Sequence, residues 1–158
     1  MGLGLSAASV IAALVSFRLF KKRFHTLEVA VCWFFLGALL LMLRTFFVLN
    51  AEMLKVTHHP GNFIALSSLL ILLFPCVILW LLYLYRTDFL NAAGKLAFAL
   101  LWAIALSLAD WWSNEAKLMQ FVSWNLYYSF VKWVLVIALA WGVMAAYRRI
   151  LRKEGYLC

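Results

Sequence analysis

Residues 63–85 read FIALSSLLILLFPCVILWLLYLY, a run of 23 residues without a charged side chain. A helix rises about 1.5 Å per residue, so about 20 apolar residues cross the hydrocarbon core of a bilayer. Lipid cannot satisfy free backbone groups, and a helix satisfies all of its own. The stretch therefore predicts a transmembrane helix. Pro75 in its middle predicts a kink, which is most simply a matter of helix shape.

Four further apolar segments accompany residues 63–85. The chain is 68% hydrophobic and 13% charged, with a mean hydropathy of +0.98, whereas soluble domains are about 45–50% apolar and about 25% charged. Because so few polar side chains could face water, the bilayer is the expected solvent. We predict one all-α membrane domain over residues 1–158, a polytopic membrane helical bundle with five transmembrane helices. The predicted spans are residues 3–20, 27–49, 63–85, 96–112 and 128–147.

Lysine and arginine set the predicted orientation of this bundle. Residues 18–24, residues 86–95 and the tail from Arg148 carry ten of the fourteen Lys and Arg residues. Loops rich in Lys and Arg stay on the cytoplasmic side of a membrane. The sequence therefore predicts that the N-terminus is outside and the C-terminus inside. The four remaining cations belong to the outer half, and they are Arg44, Lys55, Lys117 and Lys132.

Several other classes of protein are not favoured. The net charge is +8, but the basic residues flank apolar segments instead of forming one face, so no nucleic acid is expected as a partner. Three cysteines and the pair His58-His59 form neither a disulfide framework nor a metal-ligand pattern, so we expect no metal and no cofactor. The sequence also carries no catalytic signature, which disfavours an enzyme.

Three charged residues fall inside or at the edge of the outer halves of the predicted spans: Arg44, Asp110 and Lys132. A charge at the bilayer centre costs about 2.5–3.5 kcal/mol, and such residues usually face protein or water. Helical rise places them roughly 25, 21 and 24 Å above the inner face, which is nearly one level. Small residues on one face of the fourth span end in Asp110, which predicts an inward carboxylate. Those small residues are Ala99, Ala103 and Ser107.

We expect Asp110 to pair with Arg44, with Lys132 or with both. Two cations and one anion would leave a net positive cluster in the outer leaflet, and Asn125 lies on the same predicted face as Lys132. Such a cluster could attract an anionic headgroup, a carboxylate or a phosphate. The alternative is a buried ion pair that fixes helix register, with the cations snorkelling to the interface.

Residues 109–133, ADWWSNEAKLMQFVSWNLYYSFVKW, place many aromatic residues beside this cluster. Amphipathic rings favour the interface, so these rings predict an outer aromatic belt. Asn114 as an N-cap and apolar residues at 118, 121 and 122 predict a short interfacial helix that reaches Gln120 or Ser123. The belt comprises Trp111, Trp112, Trp124, Tyr127, Tyr128 and Trp133, of which Trp111, Trp112, Trp124 and Tyr128 are candidates for a lid over the cluster.

Residues 124–130, WNLYYSF, stand just before the last predicted span. Together with the acidic Asp110 at the end of the preceding span, they resemble a family of small five-span membrane proteins of spore-forming Gram-positive bacteria. The resemblance covers the five-span layout and implies a bacterial plasma membrane. It implies no activity, because none is established for that family, so no residue roles are carried over.

The function that the sequence favours is a non-enzymatic membrane component with a small polar cluster in the outer leaflet. It would bind a lipid or a small amphipathic ligand, or dock another membrane protein or a second copy of itself. A small oligomeric transporter or channel, with Arg44, Asp110 and Lys132 as a charged gate, is the first alternative. A membrane-embedded enzyme that modifies lipid is the second.

Overall fold

The computed structural model describes residues 2–20, 24–56, 60–86 and 91–154. Most of these residues are helical. Two helices begin after an asparagine whose side chain accepts a backbone hydrogen bond from the first turn, Asn91 and Asn125. In chain order the helices are α1 (Gly2–Phe20), α2 (Thr26–Thr45), α3 (Pro60–Ser68), α4 (Phe74–Tyr85), α5 (Ala92–Glu115) and α6 (Leu126–Lys153), and the strands are β1 (Leu54–Val56) and β2 (Met119–Phe121).

Two wide turns extend these helices. A π-helical turn, Phe46–Asn50, continues α2, and a second one, Leu69–Leu73, joins α3 to α4 in a single rod. The second turn ends just before Pro75, whose ring clashes with the preceding turn of a regular α-helix. A π-helical turn widens the helix by one residue at such a site. The wide turn therefore lies where the sequence predicts a kink.

Hydrogen bonds donated by side chains give the direction of each helix. Between α1 and the α3–α4 rod, residue numbers rise together, so the two run parallel. The pairs are Ser6 with Ser68 and Ser16 with Trp80. Between α2 and the rod the order is reversed, so the two are antiparallel. The pairs are Trp33 with Ile71 and Arg44 with Ser67. Helices α5 and α6 are antiparallel as well, since Asp110 near the end of α5 meets Lys132 near the start of α6.

The two ends of the bundle differ in charge. One end collects the C-terminal ends of α1, α4 and α6 with the starts of α2 and α5, and we call it the basic end. The opposite end carries β1 and β2, and we call it the ladder end. The described cations of the basic end are Arg18, Arg86, Lys95, Arg148, Arg149, Arg152 and Lys153, and those of the ladder end are Arg44, Lys55, Lys117 and Lys132.

Apolar side chains fill the inside of the bundle and also cover much of its outside. Leu36, Ile78 and Ala103 are fully buried between the helices. Phe34 and Met42 of α2 are 78% and 73% exposed. Contiguous apolar surface of this kind is unfavourable in water, whereas in a bilayer it faces lipid tails.

Four helical segments are long and apolar enough to cross a membrane, and α1 is a shorter apolar helix. These four segments contain the whole of the predicted spans 27–49, 63–85, 96–112 and 128–147, which confirms them as helices. The helices continue beyond most of the predicted bounds because hydropathy marks only the part inside the hydrocarbon. The four segments are Thr26–Leu49, Asn62–Tyr85, Ala92–Glu115 and Leu126–Lys153.

The predicted interfacial helix between Asn114 and Ser123 is wrong. Residues 119–121 form β2, which pairs with β1 in antiparallel register and places Lys55 opposite Gln120. Asn114 lies in the last turn of α5, where its Oδ1 accepts a hydrogen bond from the Phe121 backbone N–H at 2.9 Å. Lys117 has a positive φ of 56°, a conformation that cannot continue a helix. The chain therefore turns back as a strand over the ladder end.

Candidate functional site

Asp110 lies near the C-terminal end of α5 and points into the bundle, as its stripe of small residues predicts. It is 3% exposed, and Ala103 and Ser107 on the same face are also buried. Its Oδ2 accepts hydrogen bonds from Lys132 Nζ at 2.5 Å and from Trp133 Nε1 at 2.9 Å. Two donors, one of them charged, replace the water that this carboxylate loses on burial.

Trp133 supports both partners of this ion pair. Its indole is fully buried, and the ring centroid lies 4.4 Å from Lys132 Nζ. The ring also packs against Phe74, with 5.0 Å between ring centroids. A cation over an indole face is attracted by the ring electrons. The predicted place of Trp133 in the outer aromatic belt is therefore wrong. Its helical spacing from Ser129 and Val136, both buried, is the signal that marks it as inward-facing.

Arg44 reaches the same region from α2 but does not pair with Asp110. Its Nη1 donates to Ser67 Oγ at 3.2 Å, and its guanidinium carbon lies 4.9 Å from the centroid of the Phe63 ring. Among the described residues, no carboxylate lies within 4.0 Å of this guanidinium. Of the two predicted partners, Asp110 thus takes only Lys132, because Arg44 turns towards α3.

A cavity of about 40 Å³ lies between these charged groups. Arg44, Asp110 and Lys132 all line it, together with Ser113 and an otherwise largely apolar wall. A water molecule needs roughly 10–15 Å³. The space therefore suits two or three waters or the oxygens of one small anionic group.

The roof of the cavity is formed by the β-ladder and one tryptophan. Leu54 of β1 and Met119 of β2 line the cavity, and so does Trp124. Trp124 packs edge-on against Phe47, with 4.4 Å between ring centroids, and its Nε1 donates to Ser129 Oγ at 2.6 Å. These contacts hold the indole near the ion pair, with its ring centroid 5.8 Å from Lys132 Nζ.

The other predicted site residues lie farther from the cavity. Tyr128 is 44% exposed and packs beside Trp124 at 5.8 Å between centroids. Trp111 and Trp112 are 52% and 49% exposed and do not line the cavity. Asn125 is not part of the cluster, because its Oδ1 accepts a hydrogen bond from the Tyr128 backbone N–H at 3.0 Å and caps α6.

A second buried ion pair, at the basic end, was not predicted. Glu28 is 2% exposed, and its Oε1 lies 3.1 Å from Arg148 Nε. Its Oε2 accepts a hydrogen bond from the His25 backbone N–H at 3.1 Å, which closes a capping box at the start of α2. The signal was present in the sequence, since Glu28 lies one residue inside the predicted span 27–49.

Metal ligands do not gather in the described ranges, where no three His, Cys, Asp or Glu side chains come together. Cys32 and Cys76 are free and buried in separate helices. His58 and His59 lie outside the described residues.

Four long apolar helices and a largely apolar exterior place this chain in the class of helical membrane proteins. No protein-family model matches the sequence, and neither a curated protein nor a solved structure matches it. The resemblance carried by residues 124–130 therefore stays a prediction.

Proposed function

We propose that this chain is a non-enzymatic integral membrane protein that binds the anionic head of a lipid or small amphipathic ligand beside Arg44. The observation that carries the proposal is the charge balance around the cavity. Asp110 and Lys132 compensate each other, whereas Arg44 has only the neutral hydroxyl of Ser67 as a hydrogen-bond partner among the described residues. A partly buried guanidinium without a counter-ion favours a carboxylate or a phosphate.

The apolar wall and the size of the cavity narrow the kind of ligand. Leu40, Leu43, Leu66 and Leu70 line the cavity together with Arg44. A compact anionic head fits the small polar space, and its apolar tail would leave the cavity past the leucine wall. A single-chain amphiphile with a carboxylate or phosphate head meets both requirements. Docking of another membrane protein or of a second copy has less support, because these inward-facing groups do not form an outer contact surface.

A fifth span is part of the proposal. Helix α1 has 19 residues, which is about 28 Å of helix against a core of about 30 Å. It packs in parallel along the α3–α4 rod, which is long enough to cross a membrane. This parallel contact supports a crossing by α1 at the same depth.

The proposed orientation is N-out and C-in. Seven described cations at the basic end against four at the ladder end support a cytoplasmic basic end. The cavity beside Arg44 would then open in the outer leaflet. The bacterial plasma membrane is proposed only on the resemblance of residues 124–130 to its family.

The two alternative functions have less support. A transporter or channel needs polar groups that continue from the cavity towards the basic end. Beyond Ser107, the buried residues of α5 and α6 on that path are apolar, among them Ala103, Val136 and Ala140. A lipid-modifying enzyme needs a second catalytic group beside Asp110, whose carboxylate is held by Lys132 and Trp133.

The test is binding of oleate, a single-chain carboxylate, to the full chain in neutral detergent, with oleyl alcohol as the uncharged match. Native mass spectrometry counts the bound molecules. We expect wild type to prefer oleate and Arg44→Gln to bind oleate about tenfold more weakly, because one charge-assisted hydrogen bond is lost. Lys55→Gln removes an exposed cation at the same end and should bind oleate as wild type does. Equal oleate binding by wild type and Arg44→Gln would contradict the proposal.

A further inference from the structure

A larger cavity, of about 250 Å³, lies at the basic end between the ends of α4 and α6. Its polar wall consists mainly of four arginines, and no described carboxylate lines it. Glu28 pairs with one of them, Arg148, at 3.1 Å. The other three have no described carboxylate within 4.0 Å. The four are Arg86 of α4 and Arg148, Arg149 and Arg152 of α6.

Arg86 gives the most direct sign that this cavity takes an anion. Its Nη1 is buried and has no hydrogen-bond partner among the described residues. Its guanidinium carbon lies 4.6 Å from the centroid of the Phe24 ring, which holds the group in place. A buried N–H without an acceptor is costly. An anion in the cavity would supply that acceptor.

The choice of arginine at all four positions points to phosphate. A guanidinium presents a planar fork of donors that matches phosphate oxygens, whereas lysine presents a point charge. Arg148 and Arg152 are four residues apart and Arg149 and Arg152 three, so the three side chains lie on neighbouring positions of α6. Several forks around one space suit a group with several oxygens.

An apolar groove adjoins the arginine cavity. This groove, of about 190 Å³, is lined by Leu96 and Leu100 of α5 and by Val134 of α6. It shares Leu82, Tyr85 and Trp141 with the arginine cavity. From Trp141 to Val134 it follows α6 for about 10 Å. A polar head site and an apolar channel therefore meet along one wall.

We propose that the basic end binds an anionic phospholipid, with its phosphate between Arg86, Arg149 and Arg152 and an acyl chain in the groove beyond Trp141. Basic pockets between membrane helices suit such headgroups. This site is separate from the cavity beside Arg44 and does not rest on the function proposed for that cavity.

The test titrates the full chain in neutral detergent with phosphatidylglycerol or phosphatidylcholine and counts bound lipids by native mass spectrometry. We expect wild type to bind phosphatidylglycerol at least about tenfold more tightly than phosphatidylcholine. R86Q/R149Q should lose this preference. R18Q removes an exposed cation of the same end that does not line the cavity, and it should keep the preference. Equal loss in R18Q, or no loss in R86Q/R149Q, would overturn the proposal, because binding would then not depend on this pocket.

A second arm separates the phospholipid from free phosphate. Ala99 lines the groove away from the arginines, so A99F should weaken phosphatidylglycerol binding. Inorganic phosphate should not displace phosphatidylglycerol from the wild-type chain. Unchanged phosphatidylglycerol binding in A99F would overturn the acyl-chain site. Full displacement of phosphatidylglycerol by inorganic phosphate would also overturn the acyl-chain site and would assign the pocket to free phosphate.

A lysine double variant and an Arg44 variant provide further tests of this site. If R86Q/R149Q does not fold, R86K/R149K retains both charges and should bind phosphatidylglycerol more weakly than wild type, since the planar forks that hold the phosphate are gone. Wild-type affinity for phosphatidylglycerol in the lysine variant would overturn the arginine site. In the R44Q background, R86Q/R149Q should still lose the phosphatidylglycerol preference, so failure at this pocket is distinguishable from failure at the Arg44 cavity.

Discussion

The carboxylate of Asp110 is buried in the bundle, and two side chains of α6 donate hydrogen bonds to it. The sequence predicted its inward direction, because small residues share its helical face. The sequence did not predict that Arg44 turns to Ser67, since helical rise gives the depth of a residue and not its rotation about the helix axis. The role of Trp133 was missed for a similar reason: its aromatic type favours an interface, whereas its spacing favours the core.

Removing either charge of the Asp110–Lys132 pair leaves the other one without a counter-ion inside the bundle. We expect Asp110→Asn and Lys132→Met each to lower the free energy of unfolding by about 3 kcal/mol. The double variant should lose less than the sum of the two, because no lone charge remains. Unfolding in mixed micelles measures all three values. If the loss in the double variant equals the sum of the two single losses to within about 0.5 kcal/mol, the two residues are not coupled.

Among the elements, the loop after α5 is the one that the sequence pattern predicted wrongly. Apolar residues at 118, 121 and 122 have spacings of three and four, which is typical of a helix. The strand partner, Leu54–Val56, lies far earlier in the chain, and a local pattern contains no information about such a partner. The π-helical turn before Pro75 was easier to anticipate, because proline itself causes the local irregularity.

A disulfide across the ladder tests this element directly. We expect Lys55→Cys/Gln120→Cys, in a chain whose native cysteines are replaced by alanine, to form an intramolecular disulfide on mild oxidation. Residues directly opposite in an antiparallel pair have Cα atoms about 4.5–5.5 Å apart, which a disulfide can bridge. Electrophoresis without reductant detects the product. Lys55→Cys/Ser123→Cys is the control and should not cross-link. A ladder pair that stays reduced would favour the interfacial helix instead.

In the whole molecule, hydropathy was enough to locate four long helices but not to arrange them. The spans followed from composition and length, since a bilayer demands long apolar helices. The neighbours of each helix did not follow, because these helices are apolar on their outer faces as well as their inner faces. Phe34 and Leu36 of α2 are equally apolar, yet one is 78% exposed and the other is fully buried. Only packing between helices distinguishes such positions.

Single cysteines test the proposed topology. In a cysteine-free background, Gly4→Cys and Ser123→Cys should react with an impermeant maleimide in intact cells. Lys153→Cys should react only after permeabilisation, because five spans place it on the cytoplasmic side. Labelling of Ser123→Cys and Lys153→Cys from the same side would rule out a crossing by α6. Protection of Gly4→Cys alone would remove the crossing by α1.

The most direct test of an anion site beside Arg44 is a crystal structure grown from a lipid phase that contains oleate. We expect a carboxylate about 3 Å from the Arg44 guanidinium, with the Asp110–Lys132 pair intact and Trp124 above it. A structure in which Arg44 contacts Asp110 directly, or in which side chains fill the cavity, would contradict it.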